Sequence, residues 1–423
     1  MKINFNRLGK EVLDILRRLG YLADRKGVTV YLVGGFVRDL ILKQGNLDID
    51  LVVEGDATAF AEAFAKEQKA DIKIYKEFGT ATLIYPNGFR LDFATARQEI
   101  YQRPGALPTV SSGSIRDDLY RRDFTINAMA VVLNRPRFGE LVDIFGGLKD
   151  LKSGQIRILH PKSFLDDPTR ILRAVRFEQR FDFRLETKTL GLLKSAIQNG
   201  YIQYVTPSRY FVEFKKILIE AHPTKAIQRL HQLRGLGFLR NSFRPNLAVL
   251  SLLEKNIVEI QKKDPYKNYN AWWLIYLMGL LESWDAVEIR NLIDSLNLTR
   301  IEKEGLLNCP QSRRVINKLK TKGLKPRQVY ALLKPLELPI IYFIRVRTSV
   351  NIIGRYVDNF LKIYFKVKLS VTGEDLKRLG ILPGEKMGKI LHELLLRKVE
   401  GKLKSHQKEL KEIARVQTMI QEK

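Results

Sequence analysis

The chain has 423 residues, 45% of them hydrophobic, with 73 Lys and Arg against 46 Asp and Glu and a formal net charge of +27. That length suits two to four compact units, and that surplus self-repels unless a polyanion is the usual partner: nucleic acid first, an anionic membrane surface second. A Lys-rich thermophilic surface is the bland alternative, but such surfaces carry matching Glu.

Cys309 is the only cysteine, so neither a disulfide framework nor a Cys-based zinc site is expected within one chain, and a reducing cytoplasm fits. The opening MKINFNRLGKEVLDILRRLG has charges throughout and does not read as a secretory signal. No run approaches the roughly 20 uncharged apolar residues of a membrane helix; LPIIYFI, Leu338 to Ile344, has the length of a core helix.

In chain order, residues 8–24 read as an amphipathic helix. VTVYLVGG, Val28 to Gly35, reads as a buried strand ending in a Gly-Gly turn, and FVRDLIL continues as a helix. LDIDLVVEG is a second strand, Ala57 to Gln68 a helix, and ADIKIYK, TATLIYP and GFRLDFATA three more strands. Tyr101 to Gly113, rich in Pro, Gly and Ser, reads as a mobile loop. From about Pro161 strand signals fade, and helical patterns run on with breaks at Pro207, Pro223, Pro265, Pro326 and Pro383. The expectation is an α/β head on a long all-helical remainder.

Asp48 and Asp50 stand at i, i+2 in LDIDLVV, which on a strand projects both carboxylates from one face. Two such groups can share Mg2+ ions that bind substrate phosphates and polarise an attacking oxygen. Alone, a D-x-D is common. Upstream, however, GGFVRD places Gly34 and Gly35 at a strand–helix turn where backbone can approach a phosphate, with Arg38 to add a charge-assisted contact. In strand–turn–helix–strand order these features describe a nucleotidyltransferase core of the DNA polymerase β type. Asp92, in GFRLDFATAR, is the candidate third carboxylate, or equally a strand-end Asp bonding to backbone. Downstream, Asp167, Arg170, Arg173 and Arg176 recur every three residues in DDPTRILRAVRF, a slowly turning helical stripe suited to anion and base recognition.

YLVGGFVRDLIL…LDIDLVVEG, RRDFTINAMA (Arg121 to Ala130), DIFGGLKDL (Asp143 to Leu151) and DDPTRILRAVRF (Asp166 to Phe177) together resemble, in order, the motifs of class II tRNA nucleotidyltransferases, which include CCA-adding enzymes and bacterial poly(A) polymerases. The resemblance covers roughly residues 28–220 strongly and the remainder loosely, with a tail pattern at Gly373 to Leu391. It implies a polymerase-β-like α/β nucleotidyltransferase head (1–150) followed by an all-α neck (151–225), body (226–350) and tail (351–423), the last two binding RNA. It implies CTP and ATP as substrates, the acceptor and T arms of tRNA as partner, and a cytoplasmic location, with neither membrane nor DNA. Asp48 and Asp50 would hold two Mg2+ ions, with Mn2+ as a substitute. Gly34, Gly35 and Arg38 would lie near the phosphates, Arg122 and Asp123 near sugar or phosphate, and Arg173 and Arg176 on the triphosphate or the helix face. Asp123 would accept from a ribose hydroxyl, and Asn127 would support that turn.

Asp167 and Arg170 would act as an amino-acid template. Cytosine and adenine each carry an exocyclic amino donor beside a ring acceptor, matching a carboxylate beside a guanidinium. Uracil and guanine put a carbonyl where the amino group belongs, so two acceptors would face each other and both nucleotides be refused.

Two departures from the family pattern stand out. The selecting motif opens Asp166-Asp167 rather than Glu-Asp, and Ser208-Arg209-Tyr210 lies where relatives show a Ser-x-Glu-Arg helix start. Enzymes adding only CC or only A, and poly(A) polymerases, share the core motifs. A shortened loop at Tyr101 to Gly113 goes with CC-only addition in the family, and the loop is present here. A catalytically silent RNA-binding protein is the rival from another class. The five histidines form no metal-spaced cluster, and Lys/Arg-rich stretches with interleaved aromatics, such as QKKDPYKNYNAWW, NKLKTKGLKPRQVY and RKVEGKLKSHQKELK, supply the expected phosphate contacts.

Overall fold

Valine, isoleucine and leucine dominate the segments that become the central strands, and in the computed structural model, which describes residues 1–45, 48–240 and 242–421, these form one mixed sheet. Elements run α1 (Lys10–Lys26), β1 (Thr29–Val33), α2 (Gly35–Ile41), β2 (Ile49–Glu54), α3 (Ala57–Gln68), β3 (Asp71–Tyr75), β4 (Thr80–Ile84) and β5 (Arg90–Thr95). Then come β6 (Arg97–Ile100), β7 (Thr109–Ser112), α4 (Ile115–Tyr120), β8 (Ala130–Val132), β9 (Leu141–Val142), α5 (Gly147–Ser153) and β10 (Gln155–Ile156). Next come α6 (Ser163–Asp166), α7 (Arg170–Arg180), β11 (Arg184–Leu185), α8 (Thr187–Gln198) and α9 (Pro207–Ile219).

The seven-stranded sheet has the order β3-β4-β5-β2-β1-β8-β9. Only the β2–β5 pair is parallel, and its register sets Asp50 opposite Asp92. Helices α1 and α3 cover one face; Leu16 and Leu19 of α1 and Phe60 and Phe64 of α3 are all buried. The other face packs Tyr31, Val33, Val52 and Val132 against Ile115 and Leu119 of α4. With both faces covered, β1 and β2 read as continuous apolar runs rather than alternating ones.

Chain contacts divide the protein into two compact units, residues 1–213 with 229–242 and residues 214–228 with 243–423. The α/β head lies in the first, together with helices α6 to α8. The second has no strand among its described residues. Within it a cluster of Val371, Leu376, Ile390, Leu394, Ile413 and Val416 forms the tail core. The expected head followed by helices is therefore what the chain adopts. Leu47, read as part of the second strand, and positions 241, 422 and 423 of the body and tail ranges lie outside the described residues.

One reading needs correction, and two others gain detail. The Tyr101 to Gly113 stretch is not wholly a loop: β6 and β7 pair antiparallel, with Arg97 opposite Ser112 and Ile100 opposite Thr109, so only the tip is irregular. Pro207, Pro223 and Pro326 do fall at breaks between helices, each as the first residue of the next helix, where a missing N–H costs nothing and the ring pre-sets φ. The aromatics interleaved with lysines in the second unit mostly point inward. Tyr266, Trp273 and Tyr330 are buried, and Tyr269 and Trp272 pack on Tyr342 with ring centroids 4.4 and 5.9 Å away.

Helix α1 meets the backbone of residue 133 at Gly20, where an added Cβ would lie 1.9 Å from the Leu133 carbonyl oxygen. Backbone cannot yield as a side-chain tip does. Gly20→Ala is therefore expected to lower unfolding free energy by about 1–3 kcal/mol, read as a lower urea midpoint; an unchanged midpoint would contradict this packing.

Candidate active site

One cleft of about 690 Å³ is lined by every expected site residue except Asp92: Gly34, Gly35, Arg38, Asp48, Asp50, Arg122, Asp123, Asp167, Arg170, Arg173 and Arg176. Asp92 instead lines a smaller adjoining cavity of about 340 Å³, shared with Asp50 and Arg122. A separate cavity of about 780 Å³ between residues 194 and 242 has none of these residues, and no carboxylate, among the described residues that line it.

The Gly-Gly turn ends β1. Gly34 has φ +70°, and an added Cβ would lie 2.6 Å from a guanidinium nitrogen of Arg122. Glycine is thus required twice, for the left-handed backbone and for the close approach of an arginine. That arginine is held from behind. Asp118, fully buried on α4, accepts from Arg122 at 2.8 and 3.2 Å through Oδ2 and from Arg121 at 2.6 and 3.0 Å through Oδ1. One buried carboxylate therefore aims two adjacent arginines.

Asp50 reaches the cleft from β2, and Asp48 immediately precedes the strand. Ile49 between them is buried, so both carboxylates fall on the cleft side. Enclosure in the cleft pushes the Asp50 carboxyl up to about 6; Asp48 and Asp92 push the same way, and Arg122 only partly opposes them. Asp92 accepts from the Thr82 hydroxyl at 2.5 Å across the β4–β5 pair. Among the described residues no three His, Cys, Asp or Glu side chains close into a ready ligand set. Hard divalent ions that act on phosphates need only one or two protein carboxylates and fill the remaining positions with phosphate oxygens and water. The crowded, under-neutralised pair fits such an ion.

The opposite wall is basic and braced. Arg38 is 5% exposed, donates to Asn127 Oδ1 at 2.5 Å and to Asp39 Oδ1 at 2.8 Å, and stacks over Phe177 and Phe181 at 5.2 and 4.7 Å. Burial pulls its pKa down, and Asp39 pulls it back. Arg173 donates to Asp123 Oδ2 at 2.8 and 2.6 Å and to Glu213 at 3.4 Å. Asp123 Oδ1 accepts from the Phe124 N–H at 2.8 Å and from Asn127 at 2.9 Å. Despite burial, which pushes the other way, Arg173, Asn127 and Arg170 hold the Asp123 carboxyl down at about 2. Each of its oxygens already accepts two hydrogen bonds, so the expected ribose contact would have to displace Arg173 or Asn127.

Asp167 does not share the arginine stripe. It lies between α6 and α7 with φ −137° and ψ 94°, and α7 starts at Arg170. Pro168 explains this, because a residue before proline is driven out of the α region. Asp167 Oδ1 accepts from the Thr169 hydroxyl at 2.7 Å, the Thr169 N–H at 3.1 Å and Arg209 at 3.2 Å. Arg170 donates to the Ser163 hydroxyl at 2.7 Å and to the Arg121 carbonyl at 2.8 Å, which ties the start of α7 to α6 and to the end of α4.

Several participants escaped the sequence reading. Asp118 was legible, since Arg121 and Arg122 follow it at i+3 and i+4 on one helix. Glu99, Ser163, Arg209 and Glu213 gave no local signal. Glu99 accepts from Arg97, Arg121 and Tyr101, and with them braces the cleft rim.

Residues 30–157 match the family model described as the poly A polymerase head domain, and residues 182–248 match one described as the probable RNA and SrmB- binding site of polymerase A. An A-adding tRNA nucleotidyltransferase of Halalkalibacterium halodurans is 35% identical over 91% of this chain and 88% of its own length. The chain belongs to the tRNA nucleotidyltransferase family. Another relative, the A-adding tRNA nucleotidyltransferase of Geobacter sulfurreducens, is 35% identical over 96% of this chain, which spans only 47% of that protein. Among solved structures, the Thermotoga maritima CCA-adding enzyme complexed with tRNA is 36% identical with a TM-score of 0.76, covering 98% of both chains.

Proposed function

We propose that this chain, as a tRNA nucleotidyltransferase, rebuilds the 3′-terminal CCA of tRNA from CTP and ATP without a nucleic-acid template. The observation that carries this reading is the meeting in one cleft of the Asp48–Asp50 pair, the arginine wall and the Asp167–Arg170 pair. The tRNA 3′ oxygen attacks the α-phosphorus of the bound nucleotide, the bond to the β-phosphate oxygen breaks, and pyrophosphate leaves. Asp48 and Asp50 would hold two Mg2+ ions, with Mn2+ able to replace them, and Asp92 would be the third carboxylate beside Asp50. When bound, such ions polarise the attacking oxygen and neutralise charge on the phosphates. Gly34 and Gly35 admit the phosphates close to backbone, and Arg122, Arg173 and Arg176 supply positive charge. Arg38 and Asp123 act mainly by bracing, given their existing partners. Asp167 and Arg170 read the base.

The division into head 1–150, neck 151–225, body 226–350 and tail 351–423 belongs to the same reading, with the helical remainder gripping the acceptor and T arms. The buried aromatics of the second unit leave that grip mainly to Lys and Arg on phosphates. tRNA affinity is then expected to fall steeply with salt, by about 10³-fold or more between 50 and 200 mM if six or more phosphates are contacted. Filter binding across that range checks it; a flat profile would contradict it. No helix among the described residues is long and apolar enough to cross a membrane, and the tRNA substrate fits a cytoplasmic site of action.

A second reading, addition of the terminal A alone, is favoured by the names of two relatives at 35% identity. Transcripts ending before CCA, after C and after CC, each given labelled CTP or ATP, separate the two. Complete addition predicts extension of all three, and A-only addition predicts label from ATP on the CC end alone. No incorporation on any transcript would overturn both.

A further inference from the structure

An aspartate carboxylate rotates readily about its last torsion, so a carboxylate that reads a base must have its orientation set by something else. In Asp167 the two oxygens are used unequally. Oδ1 receives the Thr169 hydroxyl, the Thr169 N–H and Arg209, whereas among the described residues Oδ2 receives no hydrogen bond. The two Thr169 bonds are local and belong to the turn itself. Arg209 is the donor that arrives from elsewhere, from the first turn of α9. It does not line the cleft.

Arg209 is itself fixed at its other nitrogen, which donates to the Gly105 carbonyl at 2.7 Å. Gly105, on the tip between β6 and β7, has little room to move. Its N–H donates to the Leu165 carbonyl at 3.1 Å, its φ is +67°, and an added Cβ would lie 2.7 Å from the Tyr204 carbonyl oxygen. The planar guanidinium thus spans two acceptors, one of them immobilised.

We propose that Arg209 is a positioning residue for nucleotide selection: by bridging the Gly105 carbonyl and Asp167 Oδ1 it fixes the direction in which Oδ2 meets the incoming base. The inference rests on the reading of Asp167 as part of the base reader. Arg209 touches neither nucleotide nor tRNA 3′ end in this account. Without it the carboxylate keeps its Thr169 bonds but swings about them, and an acceptor that can turn away from a carbonyl rejects UTP and GTP less well.

The test measures kcat/KM for ATP, CTP, GTP and UTP on a transcript ending in CC and on one ending before CCA. The proteins are wild type, Arg209→Ala, Arg209→Lys, Asp167→Ala and the double variant Arg209→Ala/Asp167→Ala, with urea midpoints recorded alongside. Arg209→Ala is expected to lower the correct-to-incorrect ratio by about ten-fold or more, the scale of a lost charge-assisted hydrogen bond. Arg209→Lys keeps the charge but cannot bridge two acceptors in a fixed plane, so its ratio should fall between the two. The double variant should discriminate no worse than Asp167→Ala alone, because Arg209 acts through Asp167. Unchanged ratios in Arg209→Ala, or in Arg209→Lys should the alanine variant not fold, with selectivity lost in Asp167→Ala, would overturn the role of Arg209 and leave the base reader standing. Selectivity retained in Asp167→Ala would overturn both.

Discussion

Replacing Asp50 or Asp48 by alanine is expected to reduce nucleotide incorporation by about a thousand-fold or more, while tRNA binding changes little. Two facts set the size of the effect. Asp50 sits with Asp48 and Asp92 at a point where positive charge is insufficient, since its carboxyl rises to about 6 even with Arg122 beside it. A divalent ion held there would supply the missing positive charge, and losing it would remove several kcal/mol of charge stabilisation from the reacting phosphates. The tRNA contacts, by contrast, are assigned to Lys and Arg elsewhere on the chain. Single-turnover rates and filter-binding affinities measured on the same preparations decide it. Weakened tRNA binding with an intact rate would remove the metal-holding role of the pair.

The second large effect concerns fidelity. Asp167→Ala is expected to cut discrimination against UTP and GTP by about a hundred-fold or more, because the acceptor that clashes with their carbonyl oxygens is gone. Asp167→Asn is the more telling variant. It keeps the shape and can keep an oxygen toward Thr169 and Arg209, which turns its NH2 toward the base. A donor in that place pairs with the uracil or guanine carbonyl and repels the amino group of cytosine and adenine. The ring N–H of uracil and guanine still faces Arg170, itself only a donor, so the preference is expected to relax without inverting toward UTP and GTP. Incorporation assays with each nucleotide alone check both variants; wild-type selectivity in the alanine variant would remove Asp167 from the base reader.

What the sequence made legible followed local chemistry. The run VTVYLVGG named both β1 and the turn that follows, because a strand covered on both faces needs uninterrupted apolar residues and the turn needs glycine. Asp48 and Asp50 were legible from the alternation of a strand, and Arg170, Arg173 and Arg176 from the period of a helix. What stayed illegible depended mostly on residues far apart in the chain. Arg173 finds Asp123 fifty positions away, and Arg209 finds Gly105 across 104. No periodicity encodes such pairs, so neither the bracing of Asp123 by Arg173 nor the link from Arg209 to Gly105 was legible. Asp167 was drawn onto the helical stripe although Pro168 stood beside it. The β6–β7 pairing escaped because four-residue strands around a Pro- and Gly-rich tip carry too little hydrophobic pattern.

The most direct test of the whole account is a single reaction: the purified chain, Mg2+, labelled ATP and a tRNA transcript ending in CC. Both complete CCA addition and A-only addition predict that one adenosine is joined to the 3′ end and that pyrophosphate is released, with Asp50→Ala silent beside it. A product without label, or a homopolymeric tail of many adenosines, would contradict it.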